Sequence, residues 1–78
     1  MPTAMNPLTL DLSGLKCPLP ILRTKKALAA MESGQVITVL ATDAGAPDDF
    51  AAFCRQTGHE LLSSTADNGV FTLVVRHK

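Results

Sequence analysis

Hydrophobic residues alternate with polar residues near the start of the chain, and the spacing then changes to that of a helix. Leu8, Leu10 and Leu12 are separated by single polar residues, which is the pattern of a half-buried strand over 8–12. In the segment 18–32 the apolar side chains recur every three or four residues, which predicts an amphipathic helix. The pattern therefore predicts a strand that is followed within a few residues by a helix.

The remainder of the chain predicts one more helix and three more strands. Residues 35–42 are rich in Val, Ile and Thr and indicate a well-buried strand. A second helix is expected to begin near Pro47, because proline and carboxylates suit a first turn, and to end at Gly58. Two final strands, 59–65 and 70–77, are joined by a hairpin turn with an Asn-Gly signal.

This element order, β-α-β-α-β-β, predicts an α/β fold built as a two-layer sandwich. We expect one four-stranded mixed sheet with both helices packed against a single face. The order of the strands within the sheet is left open by the sequence. Residues 1–7 contain two prolines and little pattern, so they are interpreted as a flexible tail, and 8–78 as a single domain.

Composition narrows the class of protein. The 78 residues are 46% hydrophobic and 18% charged, which is typical of a globular soluble domain. Aromatic content is only 4%, with neither Trp nor Tyr, which argues against nucleic-acid binding by base stacking. Equal numbers of acidic and basic residues give no general attraction to nucleic acid or membrane. No signal peptide and no apolar run of about 20 residues is present, so we expect a cytoplasmic protein away from the membrane. Nothing in the sequence calls for more than a monomer.

The strongest candidate for chemistry is Cys17, which stands directly before Pro18 at the expected start of the first helix. A residue before proline is disfavoured in the α conformation, so the thiol should lie outside the first turn. Pro20 fits the same turn. The positive end of the helix dipole, together with Lys16 and Arg23, is expected to stabilise a thiolate here.

Several kinds of sulfur chemistry do not fit the residues around this thiol. A dithiol oxidoreductase needs a second cysteine where this chain has Pro20. A cysteine hydrolase needs a histidine base, and nothing in the sequence places His59 or His77 beside Cys17. A metal site needs three or four ligands, and the two cysteines and two histidines are scattered. What remains is one activated thiol acting as a covalent carrier, with no metal or organic cofactor.

For the other polar and small residues that stand out, we mainly expect structural roles. Cys54 lies on the expected inner face of the second helix and should pack in the core. Asp43 should organise the turn before that helix, although a functional role is left open. Asp11 is interpreted as a surface residue. Gly14 and Gly58 are expected where the chain turns.

Three segments carry a resemblance to a known family: LDxxGLxCPxP at 10–20, ATDAGA at 41–46 and FCxxTGH at 53–59. Together they resemble the pattern of the TusA/SirA-like sulfur carrier family, and the likeness covers the chain after Pro7. The family fold is a two-layer α/β sandwich, in agreement with the predicted element order.

The resemblance implies that Cys17 carries sulfane sulfur as a persulfide, as a sulfurtransferase-type carrier rather than as an enzyme that turns over a small molecule. The donor would be a cysteine desulfurase or a rhodanese, and the acceptor a relay protein or a modifying enzyme. Destinations in the family include tRNA thiolation, molybdenum-cofactor pathways and sulfur oxidation. The matching supporting residues are Gly14, Pro18 and Pro20.

Partner proteins of the family bind near the cysteine, which makes Lys16, Arg23 and Lys26 candidates for docking or anion stabilisation. The alternative for these three is an ordinary solvated helix face. Two alternatives for the whole chain also stay open. Cys17 could be a structural cysteine of an interaction or regulatory module, or it could form a redox-switch disulfide with Cys54.

Overall fold

A computed structural model of the chain describes residues 8–78, and six elements follow in the predicted order. The segment 1–7, predicted as a tail, lies outside the described residues. The elements are β1 (Leu8–Leu12), α1 (Leu19–Ala29), β2 (Val36–Ala41), α2 (Ala46–Thr57), β3 (Glu60–Asp67) and β4 (Val70–Arg76). Neither α1 nor α2 is long and apolar enough to cross a membrane, and the described residues contain no other helix.

The four strands form one mixed sheet in the order β1-β2-β4-β3. β1 pairs with β2 in parallel, whereas β4 is antiparallel to both β2 and β3. β1, β2 and β3 therefore run in the same direction, and each helix connects two of these parallel strands. Both helices return along one face of the sheet, which confirms the predicted two-layer α/β fold. The structure also gives the strand order that the sequence left open, because β4 lies between β2 and β3.

The core lies between this face of the sheet and the two helices. Alternate residues of β2 are buried there because successive side chains of a strand point to opposite faces. Phe50 of α2 and Leu28 of α1 are almost completely buried against them. The buried apolar residues of the core are Leu12, Leu28, Met31, Ile37, Val39, Ala41, Ala46, Phe50, Cys54, Leu73 and Val75.

The first helix is shorter than the predicted 18–32. Pro18 is its N-cap and Ala30 its C-cap, and the Ala30 N–H donates to the Ala27 carbonyl at 3.1 Å. The Met31 N–H likewise donates to the Leu28 carbonyl, so the chain tightens at its last turn and leaves the helix. Met31 still reaches the core, which explains why its apolar spacing extended the predicted helix.

The expected ends of the later elements agree closely with the structure. Gly58 ends α2 with a positive φ of 91°, and its N–H donates to the Cys54 carbonyl. Glycine suits this position because it adopts positive φ without a Cβ clash. Asn68 and Gly69 both have positive φ, 52° and 81°, which is the conformation that joins two hairpin strands tightly.

The buried hydroxyl of Thr24 is expected to lower the stability of the fold. Thr24 is fully buried on α1, and within residues 8–78 its Oγ1 has no hydrogen-bond partner. Replacing the hydroxyl by a methyl in Thr24→Val removes an unsatisfied polar group while keeping the shape, so the free energy of unfolding should rise by about 1 kcal/mol. Urea denaturation measures this change. Thr24→Ala is the control and should destabilise by leaving a cavity; a destabilised Thr24→Val would show that the hydroxyl is satisfied.

Candidate functional site

Two loops meet at one edge of the sheet. Because β1 and β2 are parallel, their carboxyl ends lie at the same edge, and the loops 13–18 and 42–45 lead from there into α1 and α2. The Gly14 N–H donates a hydrogen bond of 2.8 Å to Thr42 Oγ1, which joins the two loops directly. The residues after β1 are thus held against the residues that precede α2.

The loop after β1 is shaped by local hydrogen bonds. Asp11 Oδ1 accepts the Ser13 N–H at 3.0 Å, and hydrogen bonds from Ser13 lower the pKa of the Asp11 carboxyl. Leu15 N–H donates to the Leu12 carbonyl at 3.1 Å. Between them Gly14 has a φ of 85°, a conformation that disfavours residues with a Cβ. Asp11 is exposed as predicted, but it also fixes the start of the cysteine loop.

Cys17 lies outside α1, as predicted, immediately before the N-cap Pro18. It is exposed and free, and the peptide bond that joins it to Pro18 is cis. In the first turn of α1, which follows Pro18, Leu19 and Leu22 keep 41% and 52% of their surface exposed. The structure therefore places an accessible sulfur just before a helix turn that exposes apolar side chains.

The expected stabilisation of a Cys17 thiolate by the start of α1 is wrong. Pro18 and Pro20 have no N–H, and the Leu19 N–H already donates to the Lys16 carbonyl at 2.9 Å. A helix N-terminus attracts an anion mainly through unsatisfied N–H groups, and most of those are missing or used here. The two prolines that mark the helix start thus remove the donors that would have held the anion.

The charged groups that act on Cys17 are carboxylates from the second loop and helix. The pKa of Cys17 is raised, chiefly because the side chain of Asp49 favours the protonated thiol. Desolvation and the negative charges of Asp49 and Asp43 raise it further. Asp49 is half-buried in the first turn of α2, whereas the Asp43 Oδ2 accepts the Gly45 N–H at 3.0 Å.

Asp49 is the residue that the sequence interpretation missed as part of the site. The sequence indicates only that Asp49 lies in the first turn of a helix, where a carboxylate suits the helix dipole. Only the parallel pairing of neighbouring strands brings the start of α2 beside the cysteine loop, and the sequence does not determine that pairing. Asp43 organises its turn as predicted, and it adds to the negative charge near Cys17.

The three basic candidates lie on the exposed surface of the cysteine loop and α1. Lys16, Arg23 and Lys26 are all exposed. Lys26 belongs to the last turn of α1, roughly 10 Å along the helix axis from its first residue. None of them acts on the pKa of Cys17. Anion stabilisation by these residues therefore finds no support, and docking stays a prediction.

Cys54 and the two histidines lie apart from this edge. Cys54 is buried in α2 as expected, and burial raises the pKa of its thiol. His59 and His77 meet at the opposite edge with ring centroids 4.7 Å apart, beside a shallow pocket of about 260 Å³. Burial, followed by the positive charges of His77 and Lys78, lowers the pKa of His59. Within 8–78 no three potential metal ligands are grouped together.

Comparison with known proteins agrees with this arrangement. A family model described as Sulfurtransferase TusA matches residues 8–77. A Neisseria meningitidis serogroup A protein, whose name describes a candidate sulfur carrier, is 72% identical over 74 residues, which cover 95% of this chain and all of that protein. The sulfur carrier protein TusA of Allochromatium vinosum is 57% identical over 67 residues, covering 86% of this chain and 88% of its own.

A solved structure shares the fold. The crystal structure of a SirA-like protein from Desulfitobacterium hafniense superposes with a TM-score of 0.78 and is 32% identical, covering 88% of this chain and 95% of that one. The two-layer fold, with the cysteine loop at one edge of the sheet, therefore places this chain in the class of SirA-like proteins. The chain belongs to the TusA sulfurtransferase family.

Accessibility predicts which thiol reacts first. Cys17 is exposed and Cys54 is buried, so iodoacetamide should modify Cys17 at least about tenfold faster than Cys54 in the folded protein. Intact mass followed by peptide mapping measures both rates. In urea the two rates should converge, which is the control for intrinsic reactivity. Equal rates in the folded protein would contradict the placement of Cys17 and favour a structural cysteine.

Proposed function

We propose that this chain is a sulfur carrier that holds sulfane sulfur as a persulfide on Cys17 and passes it to another protein. The observation that carries the proposal is the exposure of one free thiol, at the Cys-Pro turn that precedes α1. The other cysteine is buried in the core. Membership of the TusA family, with relatives named as sulfur carriers, supports the same conclusion.

The chemistry is a sulfur exchange that needs no outside oxidant. The Cys17 sulfur attacks the terminal sulfur of a donor persulfide, R–S–SH. A new S–S bond forms on Cys17 while the donor S–S bond breaks, and the donor leaves as R–SH after taking up the proton that Cys17 gives up. Passing the sulfur to an acceptor thiol is the same exchange in the opposite direction. Neither step calls for a metal or an organic cofactor.

The surface around Cys17 supports docking of protein partners. Exposed Leu19 and Leu22 offer apolar contact area, and Lys16 and Arg23 add positive charge beside them. Lys26 extends this surface to the end of α1. The partners proposed are a cysteine desulfurase or rhodanese as donor, and a relay protein or modifying enzyme as acceptor. Gly14, Pro18 and Pro20 shape the loop that presents the sulfur.

The compartment and the pathway that we propose follow from the family resemblance. Residues 8–78 act as one sulfur-carrier domain, as a monomer in the reducing environment of the cytoplasm, which suits two free thiols. The sulfur would serve a relay towards tRNA thiolation, molybdenum-cofactor synthesis or sulfur oxidation. The chain itself contacts proteins rather than nucleic acid or membrane.

Sulfur loading tests the proposal directly. After incubation with a cysteine desulfurase and cysteine, the intact mass of the wild type should increase by one sulfur atom, and dithiothreitol should remove it. Cys17→Ser should gain nothing, because the remaining thiol, Cys54, is buried and cannot reach a donor. Cys54→Ala is the matched control, and should load like the wild type although it loses about 1 kcal/mol of stability through a small cavity. Loading of Cys17→Ser, or none of the wild type with a desulfurase and with a rhodanese, would refute the proposal.

A further inference from the structure

We propose that the pocket at the edge opposite Cys17 binds a small organic phosphate, which combines a dianionic headgroup with an apolar body. The pocket has a volume of about 260 Å³ and lies where the C-terminal halves of α1 and α2 meet the start of β3 and the end of β4. The sulfur exchange proposed for Cys17 uses none of the residues that line it. This inference therefore stands apart from the carrier function.

One wall of the pocket is apolar and is formed by Leu28, Ala29 and Phe53. Leu28 belongs to the core, and Ala29 is the last residue of α1. The half-buried ring of Phe53 lies 5.8 Å from the ring of His59, centroid to centroid. Walls of this kind hold the hydrocarbon part of a small ligand. An inorganic ion would make no use of the apolar wall, so the ligand should have an organic body.

The charged side chains of the pocket are all basic. Lys25 and Lys78 line it with ammonium groups, and His59 and His77 line it with imidazole rings. No aspartate or glutamate lines the pocket, and the one ion pair among residues 8–78 involves neither lysine. Two ammonium charges without a carboxylate partner match a dianion, which is the charge of a phosphate monoester above about pH 6.

The carbonyl end of α2 borders the pocket and by itself would repel an anion. It is covered by hydrogen bonds, however. The Phe53 carbonyl accepts from Thr57 Oγ1 at 2.7 Å, and the Cys54 carbonyl accepts from the Gly58 N–H at 2.9 Å. The Thr57 carbonyl accepts from Lys78 Nζ at 2.7 Å. An ammonium group has three N–H donors, so Lys78 covers the helix end and keeps two donors for a ligand.

Main-chain contacts determine what the two imidazole rings can offer. The Lys78 N–H donates to His59 Nδ1 at 3.2 Å, so neutral His59 carries its proton on Nε2 and can donate from there to a phosphate oxygen. Burial and neighbouring positive charge lower the pKa of His59, which keeps this ring neutral at pH 7.5. His77 packs edge-on against it, with the ring centroids 4.7 Å apart.

A metal ion does not fit the same pocket. It would need the Nδ1 lone pair that His59 already gives to the Lys78 N–H. No third potential ligand is grouped with the two histidines among residues 8–78, and the two lysines would repel a cation. The pocket therefore favours an anion.

An NMR titration of the ¹⁵N-labelled protein with phenyl phosphate at pH 7.5 tests the site. A ligand of this size at ordinary efficiency should bind with a Kd on the order of 1 mM. The amides of Lys25, Phe53 and His59 should shift, whereas those of the cysteine loop 13–18 should not. Inorganic phosphate lacks the apolar body and benzoate has only one charge, so each should bind at least about fivefold more weakly.

Lys25→Gln and Lys26→Gln form a matched pair. Both lysines are exposed on α1, but only Lys25 lines the pocket. Lys25→Gln should weaken phenyl phosphate binding about five- to tenfold through the loss of a charge-assisted contact. Lys26→Gln should stay within about twofold of the wild type, because it removes an exposed charge outside the pocket.

His59→Asn tests the imidazole donor separately from the fold. The asparagine side chain keeps an acceptor for the Lys78 N–H but lacks the Nε2 donor, so binding should weaken about threefold or more. The amides of the free protein outside the pocket should keep their positions. Unweakened binding by this variant would contradict the role given to His59.

Several results would overturn the inference. Equal binding of inorganic phosphate would remove the role of the apolar wall, and equal binding of benzoate would remove the match to a dianion. Equal losses in the two lysine variants would indicate general charge attraction. Shifts centred on the cysteine loop, or no binding at about 10 mM ligand, would place no site in this pocket. Cys17→Ser should bind like the wild type, so failed sulfur loading would refute only the carrier function.

Discussion

The parallel pairing of β1 with β2 is the constraint on which the site depends. It places the carboxyl ends of both strands at one edge, and so brings together the loops that begin α1 and α2. The bond between Gly14 N–H and Thr42 Oγ1 then joins the loops across the 28 positions that separate them in sequence. Had β1 paired elsewhere in the sheet, the cysteine loop would not lie beside the loop that leads into α2.

The chemistry of the site follows from what the two helix starts contribute. The start of α1 supplies prolines in place of N–H donors, so it presents Cys17 without stabilising a negative charge on it. The start of α2 supplies Asp49, which favours the protonated thiol. An exposed thiol with a raised pKa stays protonated at neutral pH, so it is a weaker nucleophile than a thiolate. Such a resting state suits the sulfur carrier that we propose, which would exchange sulfur with docked partners.

The local parts of the structure were predictable because their causes are local. Apolar periodicity predicted β1 and α1, and composition with turn and capping residues predicted the other four elements. The position of Cys17 before Pro18 placed it outside α1. The end of α1 was missed because Met31 continues the apolar spacing after the backbone has left the helix. Periodicity reports which side chains are buried, and burial continues beyond the helix here.

The non-local parts required the structure. Strand order depends on pairing between distant segments, and the sequence patterns of β2 and β4 do not say that they are neighbours. The effect of Asp49 on the pKa of Cys17 likewise depends on a non-local contact, the parallel pairing of β1 with β2. An interpretation of the sequence around Cys17 therefore considered Lys16 and Arg23, which are near in the chain. It missed Asp49, whose side chain raises the pKa of Cys17.

The measurement that tests the central claim most directly is an isotope pulse–chase on the isolated carrier. The protein is loaded with ³⁴S from a cysteine desulfurase, separated from it, and mixed with sulfur-free desulfurase in the absence of cysteine. A carrier should lose ³⁴S from the peptide that contains Cys17, and the label should appear on the desulfurase, because the exchange is reversible. Label that stays on Cys17, or that is found on Cys54, would contradict the account.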